Sequence, residues 1–250
     1  MQVTVLGKSP SWEDAGGACS GYLVQEEGFS LLLDCGNGAF SKLRRVIDYV
    51  DVDAVVVSHL HADHFFDLVP YSYALSTGPR RDTVRPPLHA PPGASVGFRR
   101  VAGCLGAEDL LERAFAVSEY TGDRELSLGP FTVRLCEVPH FVLTHAIELE
   151  AAGRRFTFGA DCRPNPELAR FGRETDVLML ESTLAAPEAH GERGHLTAGE
   201  AGELARQAGA HRLVLTHYSD ELDAEWMHSE ASAAFRGPVE LAAEGAVYAI

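Results

Sequence analysis

The chain has 250 residues, 46% hydrophobic and 23% charged, which is enough for a substantial core and too apolar for disorder. A formal net charge of -15 argues against a large nucleic-acid partner, because such partners are gripped mainly by neutralising phosphates. No apolar run approaches the ~20 residues of a membrane span, and the five cysteines form no CxxC pair, so free thiols in the cytoplasm are expected.

The start, MQVTVLGKSP, lacks a charged region followed by an apolar one, so no signal peptide is expected. QVTVL (residues 2–6), GYLVQ (21–25) and FSLLLD (29–34) read as strands, the last two joined by a tight hairpin. A helix is predicted over about 39–47, a buried strand over DAVVVS (53–58), and a helix over roughly 63–76. RRDTVRPPLHAPPGA reads as a proline-rich loop with one short edge strand, and residues 71–118 are expected to shape a pocket mouth. AEDLLERAF reads as a short helix, and FTVRLCEV, HAIELE and RRFTFGA read as strands. After them come helix NPELARF, strand DVLMLE, helix TAGEAGELARQAG ending at Gly209, strand RLVLTH, helix AEWMHSEASAAF and strand AVYAI. Strands lead each half and helices flank them. The pattern predicts an α/β fold with two stacked sheets and helices outside, an αβ/βα sandwich in one domain over residues 1–250.

The densest chemistry is SHLHADHFFDL, which places His59, His61, Asp63 and His64 within six residues of a buried strand's end. Imidazole and carboxylate suit zinc and other first-row metals. Four such groups are too many for one tetrahedral ion with an open position, and they suit two ions completed from elsewhere. His140 after RLCEVP, Asp161 after RRFTFGA and His217 after RLVLT each close an apolar strand in the same way. Singly, each reads as a turn or capping residue; together they complete the order H-x-H-x-D-H, H, D, H. His195 stands just ahead of Thr197 and Glu200, which form the signature of a capping box. A helix N-terminus there also favours an anion.

These segments, with TVLG, SGYLV, LLLDCG, VPH, FGAD and LVLTHYS, resemble the metallo-β-lactamase fold hydrolases nearly from end to end. GHLTAGEAGELARQAGAHRLVLTHYS is similar to the His-Ser/Thr-Thr segment, helix and metal-binding histidine of the RNase Z-like phosphodiesterase branch. The resemblance implies a four-layer αβ/βα sandwich of two mixed sheets. It implies two Zn2+ ions, with Mn2+ or Fe2+ also acceptable to this ligand set. His59, His61 and His140 would hold one ion, Asp63, His64 and His217 the other, and Asp161 both. Asp34 would orient the ligand loop. His145, inside a strand-like run, is the rival to His140.

The implied chemistry is hydrolysis by a hydroxide generated between the metals. His195 would act as general acid, Glu181 would orient it, and Asp63 would count among the catalytic groups. Two departures stand out. FGAD has Ala160 where the branch usually has glycine, and only residues 141–160 separate His140 from Asp161, leaving no room for the long tRNA-gripping arm. The expected substrate is therefore a small phosphodiester such as a cyclic nucleotide. The alternatives are a tRNA 3′-processing endonuclease or a lactonase or thioesterase on the same fold. A homodimer would be usual for the branch.

Overall fold

In the computed structural model, which describes residues 1–121 and 124–250, two seven-stranded sheets stack face to face. The first contains, in spatial order, β14 (Val247–Ala249), β1 (Gln2–Gly7), β2 (Gly21–Glu26), β3 (Phe29–Cys35), β4 (Ala54–Val56), β5 (Pro87–Ala90) and β6 (Ala116–Glu119). The second contains β13 (Val239–Leu241), β12 (Leu213–Thr216), β11 (Val177–Glu181), β10 (Arg154–Phe158), β9 (Thr144–Ala151), β8 (Phe131–Val138) and β7 (Leu126–Leu128). Both sheets are mixed. β3 to β6 run parallel in one, and β10 to β13 run parallel in the other.

Period-2 alternation builds three apolar layers from these strands. Leu31, Leu33, Ala54 and Val56 point between the sheets, where they meet Val133, Ile147, Phe156, Phe158 and Met179. Their neighbours Leu32, Val55 and Val57 face outward onto α1 (Ala39–Val46), α3 (Leu68–Ser76), α4 (Ala94–Cys104) and α5 (Leu110–Ala114). Across the molecule, Leu178, Leu180, Leu213 and Leu215 face α6 (Pro166–Phe171), α7 (Ala198–Ala208) and α8 (Ala224–Phe235). Strands buried on both faces explain the unbroken runs LLL and VVV. Each such buried leucine contributes about 1.5–3 kcal/mol of stability. The result is a metallo-β-lactamase type αβ/βα sandwich.

Some elements differ from the sequence reading. The helix expected over 63–76 is broken into α2 (Ala62–Phe65) and α3, with Asp67 at the break. There the Asp67 backbone N–H donates to the Cys35 carbonyl, and its side chain accepts from Phe40 N, which ties the ligand loop to the end of β3. β5 is not an edge strand, since it pairs with β4 on one side and β6 on the other. Much of residues 71–118 builds the outer helical layer and the edge of the first sheet.

Candidate metal centre

The parallel strands of both sheets end at one edge of the sandwich, where α/β folds characteristically bind ligands. His59 follows β4, Asp161 follows β10, Glu181 closes β11 and His217 follows β12. The sandwich thus converts residues far apart in sequence into one cluster. His59, His61 and His140 bring their ligand atoms within 4.8 Å of one another, as do Asp63, His64, Asp161 and His217. Asp161 lies between the two groups. Its Oδ2 is 3.3 Å from His64 Nε2 and from His217 Nε2, 3.9 Å from His59 Nε2 and 4.0 Å from His140 Nε2.

Four of the imidazoles are aimed from behind, while His61 Nδ1 meets His140 Nε2 at 3.1 Å within the cluster. His64 Nδ1 donates to Asp34 Oδ2 at 2.8 Å, and Asp34 also accepts from Ser58 N and Ser58 Oγ, both at 2.7 Å. The same Ser58 hydroxyl lies 3.0 Å from His59 Nδ1. His140 Nδ1 donates to the Gly194 carbonyl at 2.9 Å, and His217 Nδ1 lies 2.9 Å from Thr183 Oγ1. With the far nitrogens occupied, the Nε2 atoms of His59, His64, His140 and His217 turn inward, the arrangement that fixes ring orientation in metal sites. The backbone is held under strain at three of these points. Asp34, Ala160 and His217 have φ of 55°, 52° and 51°, a region that costs a non-glycine residue about 1–3 kcal/mol. Ala160 thus takes the conformation that glycine would adopt freely, and its methyl packs between the sheets.

The donor set fits divalent metal ions. His59 Nε2, His64 Nε2 and Asp161 Oδ1 are buried and make no hydrogen bond, a costly arrangement unless another partner takes them. Burial holds His59, His61 and His140 below the usual imidazole range, so they are neutral and ready to coordinate. Burial opposes charge on His64, yet Asp161 and Asp63 hold it well above its usual value. Asp63 and Asp161 are in turn held well below theirs, against the cost of burial, by His64 and His217.

His195 stands beside this cluster. Its Nδ1 donates to Glu181 Oε1 at 2.9 Å and lies 3.9 Å from Asp161 Oδ2. Burial would lower its pKa, but the Glu181 hydrogen bond and charge, with Asp161 and Glu188 nearby, raise it to about 9. Glu181 is fixed by three other donors: Cys162 N on Oε1, and Thr183 N and Thr183 Oγ1 on Oε2. The capping box is present, with Glu200 N donating to Thr197 Oγ1 and Thr197 N donating to Glu200 Oε2. His145 lies outside the cluster. It stands on β9 opposite Glu137, its backbone N–H donates to Ser58 O, and its ring packs against Tyr120.

Sequence reading missed Ser58, Thr183 and Gly194, which aim His59, His217 and His140. Ser58 and Thr183 sit beside assigned residues in VVVSH and LEST, but nothing in those letters says which ring each hydroxyl meets. A carbonyl, as at Gly194, leaves no trace in the sequence at all.

A two-sheet sandwich with a convergent His/Asp cluster at its strand ends defines a metal-dependent hydrolase of the metallo-β-lactamase fold. The chain belongs to the β-lactamase superfamily, whose β-lactamase superfamily domain matches residues 30–218. It is 30% identical over 250 residues to the probable metallo-hydrolase YhfI of Bacillus subtilis, covering 99% of each chain. The crystal structure of that protein superposes with a TM-score of 0.89 at 29% identity, covering 99% of this chain and 98% of the other. A ribonuclease Z of Myxococcus xanthus is 28% identical, with 98% of this chain and 96% of that one covered. That alignment extends over 297 positions, so the ribonuclease carries insertions that this 250-residue chain lacks. The short form of human tRNase Z shares the fold, with a TM-score of 0.78 at 24% identity, covering 100% of this chain and 99% of the other.

Proposed function

We propose that this protein is a dinuclear zinc phosphodiesterase acting on a small phosphodiester such as a cyclic nucleotide. The observation that supports the reading is the place of Asp161 against both ligand groups, its Oδ2 3.3 Å from His64 and His217 Nε2 and 3.9 Å and 4.0 Å from His59 and His140 Nε2, with a carboxylate-held His195 on their flank. His59, His61 and His140 would hold one ion, Asp63, His64 and His217 the other, and Asp161 both. Ions bound there would supply Lewis acidity toward the phosphate oxygens and acidify water between them.

The chain's own groups do the rest. Asp63, whose Oδ2 accepts from His217 Nε2 at 3.0 Å, would also help to orient the attacking water. Glu181 engages His195 at Nδ1, which leaves Nε2 as the nitrogen that donates a proton to the departing alkoxide oxygen. A pKa of about 9 keeps that proton in place at neutral pH. The N-terminus of α7 adds a favourable field for a phosphate.

Several features support a small substrate. The stretch between His140 and Asp161 is filled by the hairpin β9–β10, turned at Ala152 and Gly153, both with positive φ as a two-residue turn requires. The net charge of -15 disfavours tRNA. A cytoplasmic location accords with five free cysteines, and among the described residues no helix is long and apolar enough to cross a membrane. We take the working form to be a homodimer, which sedimentation velocity tests.

The protein loaded with zinc or manganese, offered bis-p-nitrophenyl phosphate, cyclic AMP, a pre-tRNA and a lactone, separates the readings. Turnover of the two small diesters is expected. Turnover of the pre-tRNA alone would favour the ribonuclease Z alternative suggested by the Myxococcus relative, and turnover of the lactone alone would overturn phosphodiester chemistry.

A further inference from the structure

The connection that follows His140 is unusual for a solvated loop. Phe141, Val142 and Leu143 are consecutive large apolar residues, 45%, 37% and 40% exposed. Exposed apolar runs are disfavoured on soluble surfaces and mark places where something binds. Phe141 is also held in position. Its ring lies on Gly194, where a Cβ would sit 2.2 Å from ring atom Cε2. Any side chain at that position would push the ring away. The ring centroid is 5.0 Å from that of His140 and 6.0 Å from that of His195. An aromatic ring is therefore fixed beside one ligand and the acid, with nearly half its surface open.

We propose that Phe141 is a stacking platform for the heterocycle of the substrate, which makes the substrate a nucleotide ester in preference to a sugar or lipid phosphodiester. This rests on the phosphodiesterase reading above. A phosphate lying among His140, Asp161 and His195 carries its ribose within reach of the ring, so the base can lie against it. Val142 and Leu143 extend the apolar floor. Stacking tolerates any base because every base presents a flat face. The glycine before His195 then has a purpose that the capping box does not give it: it makes room for the platform.

Titration calorimetry on the zinc-loaded protein tests this with AMP and ribose 5-phosphate, which differ only in the base. AMP should bind roughly tenfold more tightly to the parent protein. Phe141→Ala should erase that advantage, Phe141→Trp should keep it, and both variants should retain the parent's zinc content. An AMP advantage that survives Phe141→Ala, or that the parent never had, overturns the platform. So does a Phe141→Ala protein that changes sedimentation from dimer to monomer while binding AMP as before, since the apolar run would then be an interface between copies. Turnover of bis-p-nitrophenyl phosphate by the parent reports on the other reading. A protein that binds AMP through Phe141 but leaves the diester intact keeps the platform and loses the phosphodiesterase assignment. One that cleaves the diester without any AMP advantage does the reverse.

Discussion

The two loops that meet at the cluster are built in opposite ways. The loop after β4 carries four candidate ligands in six residues, and Asp34, with no exposed surface, anchors it through Ser58 and His64. Gly36 lets the end of β3 press against it so closely that a Cβ there would sit 1.8 Å from the Asp63 carbonyl. The loop before α7 is open. Residues 185–192 are exposed, and the His195 side chain is 19% exposed, held by Glu181 on one side and neighboured by Phe141 on the other. The contrast follows from two tasks. Holding a metal needs buried, rigid, oriented donors, whereas delivering a proton needs a group that substrate can reach.

If that division is right, damage to the open loop should cost turnover and spare the metal, and damage to the buried loop should cost the metal first. The largest effect is expected from His195→Ala, which should lower turnover of bis-p-nitrophenyl phosphate by about 10²–10⁴-fold. Zinc content by mass spectrometry should stay at the parent level. Loss of zinc in this variant would erase the distinction between the loops.

Asp34→Asn should come next. It leaves the shape of the side chain and removes the charge that holds His64, so affinity for zinc should fall roughly 10–100-fold in a chelator competition. Unchanged affinity would mean that the loop is rigid without its anchor.

Glu181→Gln sharpens the comparison through pH. Burial lowers the His195 pKa, but the Glu181 hydrogen bond and charge, with smaller contributions from Asp161 and Glu188, raise it to about 9. The acid form is present below that value and lost as pH rises through it. Removing the charge lowers the pKa, so the alkaline limb of the pH–rate profile should move to lower pH, with zinc content unchanged. A profile that stays in place would detach Glu181 from the acid.

The smallest effect belongs to Thr197→Ala, which deletes half of the capping box and should lower stability by about 1 kcal/mol in urea denaturation. Because the cap lies two residues from His195, turnover should fall slightly more than stability alone explains.

Much of this molecule could be read from its sequence. Unbroken apolar runs such as LLLD and VVVS can be buried on both faces only inside a layered sandwich, and the ligands stand at the ends of such runs. The shorter elements were not legible. β6, β7 and β13 have four residues or fewer and exist because a long neighbour offers them a ladder. α4, ASVGFRRVAGC, contains two glycines and two valines, a poor helix by propensity. It is kept by packing Ala94, Phe98 and Ala102 onto the first sheet at a spacing of one helical turn.

The sequence alone determined which residue types can bind metal, because imidazole and carboxylate chemistry is intrinsic to the side chain, and it located them because hydrophobic periodicity marks strand ends. Tertiary structure decided the rest. It placed His140 in the cluster and left His145 on a strand, brought His217 to Asp63, aimed four of the rings through Asp34, Ser58, Thr183 or a main-chain carbonyl, and laid Phe141 on Gly194. Those outcomes depend on distances between residues up to 154 positions apart, as between Asp63 and His217, and only the packing of the two sheets sets such distances.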